Sequence, residues 1–157
     1  MSTLHQLDKF DLELLKMVQS NNLTSLREMA EAVNLSVPSV ARRLQRLRSA
    51  GVIASDQSIL APHLVGALIT VVVHVAAENE AIELLDEMKR RFRACPQVQQ
   101  CYYVTGDIDF ILIMSTRDME EYTALTRSLF FAGGNVKHFR TFVAMERVKA
   151  TLNVNVG

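Results

Sequence analysis

Residues 25–53 read SLREMAEAVNLSVPSVARRLQRLRSAGVI, and this run narrows the folds open to the chain more than any other. It is patterned as two short helices joined by a tight turn. Ser25 and Glu28 have the S-x-x-E spacing of a capping box, in which each side chain satisfies a free backbone N–H at a helix start. Leu26, Met29, Ala30 and Val33 then recur at i, i+3, i+4 and i+7, one apolar stripe. Asn34 ends the first helix, Leu35 plugs the turn, and Ser36 caps the second helix. Pro38 is tolerated because the first turn of a helix has no N–H partners to lose. Val37, Val40, Leu44 and Leu47 form the inward face of the second helix. Gly51 stands where a C-terminal cap needs positive φ.

At about 100° per residue, Ser39, Arg42, Gln45, Arg46 and Ser49 point away from that inward face, with Arg43 and Arg48 at its edges. Residues 37–51 hold four arginines and no carboxylate. An arginine-rich face alone is what many solvated helices show. Joined to a capped first helix and a short turn, it has the form of a helix-turn-helix, whose second helix enters the major groove of DNA. Arg42 and Arg46 are the expected DNA-facing side chains, with Ser36, Ser39 and Arg43 near phosphates. Arginine can read guanine through two hydrogen bonds or simply neutralise a phosphate.

A third helix is expected before this pair. Asp8 can cap it, Asp11 sits in its first turn, and Leu7 and Leu12 can staple its entry. Phe10, Leu14 and Val18 repeat at i, i+4 and i+8. Asp8 and Asp11 are read here as capping and core residues only, on a helix that braces the motif without touching bases.

Charge and cysteine usage exclude several classes. The chain has 17 basic and 17 acidic side chains, so it is no globally basic coat for nucleic acid. The basic character is local, with four arginines and no carboxylate in residues 37–51, while residues 78–87 are acidic; a local patch suits a site reader. The N-terminus carries no apolar leader, and the longest apolar stretch, residues 67–77, contains Thr70 and His74. It falls short of the ~20 residues a membrane helix needs. Cys95 and Cys101, the only two cysteines, are expected as reduced thiols in a cytoplasmic protein. The histidines at 5, 63, 74 and 138 show no metal-ligand spacing, so neither metal nor cofactor is expected.

Residues 54–62, ASDQSILAP, lose helical periodicity and end in proline, which marks a boundary. Beyond it the elements alternate. Residues 68–76 are β-branched and apolar, a buried strand; residues 81–92 are helical, with Ala81, Leu85, Met88 and Phe92 on one stripe. Strands are predicted at 98–105 and 110–115, a helix at 119–130 with Met119, Tyr122, Leu125 and Leu129 inward, and a last strand at 139–146. The order β-α-β-β-α-β is the ferredoxin-like arrangement, two helices on one face of a four-stranded antiparallel sheet. The other sheet face stays apolar and is expected to be buried against another copy. The fold class is thus α+β. A winged-type helix-turn-helix domain at 1–54 and an extended linker at 55–65 are expected to precede a ferredoxin-like sandwich at 66–157.

Between the two middle strands lies Gly106-Asp107-Ile108-Asp109. Glycine lets a backbone approach a ligand closely, and free N–H groups of a tight turn can hold a carboxylate. Asp107 or Asp109 could receive an ammonium group, which together would suit an α-amino acid. A plain hairpin turn favours the same residue types.

Three motifs stand in order: Leu7-Asp8-Lys9-Phe10-Asp11, the run Leu47 to Ile53 with its L-x-x-x-G-V-I ending, and Gly106-Asp107-Ile108-Asp109-Phe110. With the approach Val98-Gln99-Gln100-Cys101-Tyr102-Tyr103-Val104-Thr105, their order and spacing resemble the Lrp/AsnC (feast/famine) transcriptional regulators over nearly the whole chain. The resemblance implies a DNA-binding regulator whose second half dimerises and senses amino acids, with further assembly, commonly to octamers. It places the effector at Gly106, Asp107, Ile108 and Asp109 and on the last strand at Phe139 and Thr141. Three positions depart from the usual family pattern: Leu23 for an arginine, Ile108 for an aromatic, and Phe139 for Thr or Ser. These point to a bulkier or more apolar effector, or to a pocket that no longer takes one.

The reading is a sequence-specific transcriptional regulator gated by an amino acid or similar small effector, not an enzyme. Two alternatives stand beside it. One is a sirohaem decarboxylase of related architecture, for which only His63 lies near the linker. The other is a chromatin-type protein that binds double-stranded DNA with little sequence preference.

Overall fold

A computed structural model describes residues 7–156, which fall into two compact units. The first comprises the chain up to Ile59 together with residues 151–156; the second is Leu60–Ala150. Residues 1–6, which open the predicted first domain, lie outside the described residues.

The first unit is three helices, α1 (Lys9–Ser20), α2 (Leu26–Val33) and α3 (Val37–Ser49). Both capping boxes form. Asp8 accepts from the Asp11 N–H and Asp11 returns the bond, and Ser25 and Glu28 do the same for α2. Asn34 adopts the left-handed conformation at φ 53 and ends α2. Gly51 closes α3 at φ 73: its N–H reaches the Arg48 carbonyl, and the Val52 N–H reaches that of Leu47. That pair of bonds satisfies the last free carbonyls of the helix. The apolar stripes meet in one core of Leu14, Leu15, Met29, Ala30, Val33, Val40, Leu44 and Leu47. After Ile53 the chain runs extended, and the described residues of this unit contain no strand.

The C-terminal segment returns to this core. Val154 exchanges two 2.8 Å hydrogen bonds with the Gln19 side-chain amide, and Val156 packs against the helical cluster. Sequence had placed these residues with the second half because they follow the last strand directly.

The second unit is β1 (Ile69–Ala77), α4 (Ile82–Ala94), β2 (Val98–Tyr103), β3 (Phe110–Thr116), α5 (Met119–Thr126) and β4 (Val136–Val143). The sheet is antiparallel in the order β2-β3-β1-β4, the ferredoxin-like arrangement. Val71, Val73 and Val75 stand opposite Met114, Leu112 and Phe110, all fully buried under Leu85, Met88, Phe92, Tyr122, Leu129 and Phe130 of the helical layer. On the opposite face Val72, His74, Ile111 and Ile113 are half-buried, while Tyr102 and Phe142 are 50% and 49% exposed. None of the described helices of this unit covers that face.

Four expectations are corrected. The predicted helix 119–130 is α only to Thr126; a π turn, Arg127–Phe131, follows and keeps both Leu129 and Phe130 inward. Met119 is not inward but 42% exposed, because it opens α5 at the rim of the sheet. The last strand is Val136–Val143 rather than 139–146: its pairing with β1 begins three residues earlier than expected and its last pair is Val143 with Val71. β2 stops at Tyr103, since Val104 already turns its N–H to the Asp109 carbonyl. Among the described residues no helix is long and apolar enough to cross a membrane.

Candidate DNA-reading face and effector turn

Helix α3 carries Arg42, Arg43, Arg46 and Arg48 with no acid of its own, but acids reach three of them from elsewhere in the unit. Arg43 donates to Asp8 and Asp11, both at 2.8 Å, and its guanidinium lies 5.5 Å from the Phe10 ring centroid. Arg46 donates to the other oxygen of Asp11 at 2.5 Å, and Arg48 forms a two-bond pair with Asp56. The Asp11 side chain is 1% exposed, so its charge is compensated by these arginines and not by water. The backbone bond from Asp11 holds the Asp8 carboxyl below the usual range, aided by Arg43, and the two acids raise Arg43 in turn.

This revises the sequence reading in two places. Asp8 and Asp11 are more than caps; they brace α3 by gripping its arginines. Arg43, 22% exposed, is a buried-side strut and not an open phosphate ligand. Arg46 keeps 55% of its side chain exposed but is tied at one end, in the last turn of the helix. Arg42 is exposed and makes no ion pair among the described residues. Ser36 caps α3 by accepting from the Ser39 N–H, and its residue is exposed. A recognition helix contacts bases with its N-terminal part. Ser36, Ser39 and Arg42 occupy that part. The ion pairs of Arg43 and Arg46 could not be read locally, since the partners lie 32 to 35 residues apart in sequence.

In the second unit Gly106 sits at φ +123, exposed, with open space where a side chain would project. Asp107 is exposed and Ile108 half-buried. Asp109 is committed: its carboxylate accepts from the Ala77 N–H at 2.7 Å, one step past the last β1–β3 pair, Val75 with Phe110. Its backbone N–H also reaches the Val75 carbonyl at 2.9 Å. Asp109 therefore latches the turn to β1, a role that sequence reasoning missed.

Phe139 and Thr141 lie on the helix side of β4. Phe139 packs tilted against Phe130 and edge-on against Phe131, with ring centroids 4.5 and 5.7 Å apart, and the Thr141 and Tyr122 hydroxyls hydrogen-bond at 2.5 Å. Strand β1 stands between β3 and β4. At about 4.8 Å per strand spacing, the Gly106 turn and β4 are separated by roughly 10 Å across the sheet. One chain does not bring the two groups of candidates together. A cleft of about 470 Å³ does open beside the turn, lined by Lys89, Arg93, Gln99, Cys101, Tyr103 and Phe110. Lys89 sits 5.0 Å over the Tyr103 ring, and burial pushes the Cys101 thiol up, away from nucleophilic use. No group of His, Cys, Asp and Glu among the described residues is arranged to hold a metal.

Comparison with known proteins agrees with both halves. Residues 7–54 match the winged helix-turn-helix DNA-binding family, and residues 70–154 the Lrp/AsnC ligand binding domain. An HTH-type transcriptional regulator of Sinorhizobium fredii is 46% identical over 151 residues, covering 96% of this chain and 89% of its own. The leucine-responsive regulatory protein of Haemophilus influenzae is 31% identical, covering 92% and 87%. Among solved structures, an AsnC family regulator from Agrobacterium tumefaciens superposes with TM-score 0.89 at 26% identity, covering 95% of this chain and 97% of its own. A transcriptional regulator of Neisseria meningitidis in complex with L-Met gives 0.88 at 24% identity, covering 95% and 96%. These relatives are regulators, which decides against the decarboxylase reading. The chain belongs to the Lrp/AsnC family of transcriptional regulators, with a helix-turn-helix DNA-binding half and a ligand-binding half.

Proposed function

We propose that this regulator recognises specific operator sequences through the N-terminal part of α3 and is gated by an apolar or aromatic amino acid. Arg42 carries the first claim: it is the one exposed α3 arginine that no described acid holds. Ser36 and Ser39 lie beside it for phosphate contacts, with Arg46 at the rim and Arg43 supporting from behind. Gly106 and Asp107 would take the carboxylate and ammonium groups of the effector, Ile108 its apolar body, and Asp109 would hold the turn in shape. The L-Met complex of the neisserial relative supports an amino-acid effector. Phe139, with two aromatic neighbours, favours an apolar one.

The working unit is at least a dimer, closed over the uncovered sheet face and able to build toward an octamer. Because β4 and the Gly106 turn are apart in one chain, a second copy would complete the pocket with its own Phe139 and Thr141. A dimer also matches a pseudo-palindromic operator. Ligand binding between copies would change the spacing of the recognition helices, which couples the two sites.

A thermal-shift panel of the common amino acids tests the gate. A ligand at 100 times its dissociation constant stabilises by about 2.7 kcal/mol. Met, Leu, Ile or Phe should raise the midpoint, and Ser, Asn or Asp should not. Tightest binding to a small polar amino acid would show this pocket reading to be wrong.

A further inference from the structure

We propose that Asp11 is a positioning residue that withholds Arg43 and Arg46 from the DNA backbone, so that α3 reads sequence with little non-specific charge. The inference rests on the reading of α3 as the DNA face. Helix α3 presents four positive charges, and Asp8, Asp11 and Asp56 set three negative charges directly against three of them. The reading helix therefore offers DNA a net charge near plus one, centred on Arg42.

The geometry makes Asp11 the pivot of this arrangement. Its two oxygens serve different arginines, Oδ1 taking Arg43 and Oδ2 taking Arg46. Its side chain is 1% exposed, so neither water nor salt can replace the arginines without leaving a buried carboxylate unpaired. Asp11 is itself held by the α1 capping box, through the Asp8 N–H to Oδ2 and its own N–H to the Asp8 Oδ1. A box on one helix thus fixes two guanidinium groups on another.

The consequence concerns the two components of DNA affinity. Non-specific binding comes from releasing the counterions condensed on phosphates, and each neutralised phosphate steepens the salt dependence by about 0.9 in log K against log salt. An arginine whose charge is already met by a buried acid contributes little to that term. Base readout by Arg42 is unaffected by it. Specificity, the ratio of the two, is raised by lowering the non-specific part.

The test uses the full chain and two duplexes of equal length, one selected from a random pool by the wild-type protein and one scrambled. Affinity for both is measured across a salt series. With Asp11→Asn, affinity for the scrambled duplex should rise several-fold. The preference for the selected duplex should fall, and the salt slope should steepen by about 0.9 for each arginine that then reaches a phosphate. Asp8→Asn, at a half-exposed site, should act in the same direction more weakly and carries the test if Asp11→Asn does not fold. Glu13→Gln makes the same charge change on α1, but Glu13 pairs with Lys16 and touches no arginine of α3. Its slope should stay near wild type. An unchanged slope in both aspartate variants, or an equal change in Glu13→Gln, overturns the proposal. Arg42→Gln separates the two layers: if it leaves both duplexes unaffected, the reading of the DNA face fails as well; if it weakens binding, only the role of Asp11 is at stake.

Discussion

The first unit completes its candidate site within one chain, and the second does not. The candidate DNA-facing residues share one helix, α3, and the acids that hold its arginines come from the start of α1 and from the segment just after α3. In the second unit the Gly106 turn lies on the β2–β3 side of the sheet, while Phe139 and Thr141 lie on the opposite edge strand. The sheet's outer face is also open, with Tyr102 and Phe142 half exposed. The difference follows from geometry. A helix gathers residues three and four apart onto one face, so a helical site is local in sequence. In this ferredoxin-like sheet β1 stands between β3 and β4, so candidates drawn from the β2–β3 turn and from β4 are set apart by an intervening strand.

The sharpest way to break this comparison is to charge the open face. Ile113 lies at the centre of that face, on β3 opposite Val72 of β1. In a two-fold interface the same residue meets its equivalent neighbourhood twice. Ile113→Asp should place an unpaired charge in the contact, at a cost of about 3–5 kcal/mol where no cation can reach it. Sedimentation should show a monomer, and amino-acid binding should be lost with it, while circular dichroism of the helices stays native. A ligand-responsive monomer would mean that one chain holds a complete pocket after all.

What the sequence disclosed divides along the same line. The capping boxes, the helix end at Asn34, the Gly51 cap and most of the apolar stripes are written within a few residues and were legible, though Leu26 and Val37, read as inward, are exposed at the starts of their helices. So was the βαββαβ order, because strand and helix periods alternate cleanly. The pairing of Asp11 with Arg43 and Arg46 was not, since no local pattern distinguishes an arginine facing solvent from one reaching an acid on a neighbouring helix. The bond from Ala77 to Asp109 was hidden for a similar reason. A hairpin aspartate reads as a turn former, and only the register of β1 against β3 shows that it serves a third segment.

Asp109 provides the next test. Replacing it with alanine removes the acceptor of the Ala77 N–H, and an unsatisfied, partly buried donor costs about 1–3 kcal/mol. Asp109→Ala should therefore lower the unfolding midpoint and weaken the ligand response together. Asp107 is exposed, so Asp107→Ala should weaken ligand binding while leaving the midpoint within about 0.5 kcal/mol of wild type. Calorimetry and denaturant melts on the pair separate a ligand contact from a latch. If Asp109→Ala costs no stability yet abolishes binding, Asp109 touches the effector directly and the latch is incidental.

The smallest effect expected is at the start of the reading helix. Ser25 and Ser36 are both N-caps, but they differ in their second role. Ser25 shares a full capping box with Glu28, whose carboxylate takes the Ser25 N–H at 2.8 Å. Ser36 makes a single long bond, 3.4 Å to the Ser39 N–H, and has Ser39 where a box would need Glu. Removing an N-cap side chain costs about 0.5–2 kcal/mol, and Ser36→Ala belongs at the lower end of that range. On stability alone, Ser25→Ala should be the more damaging change. On DNA the order should reverse, because a weakly engaged hydroxyl at the tip of α3 is free to turn to a phosphate, whereas Ser25 caps the helix that does not read. Melting curves and operator titrations on the two alanine variants give both rankings. If Ser25→Ala is worse on both measures, Ser36 is only a cap, and the contact surface of α3 begins deeper in the helix, at Ser39 and Arg42.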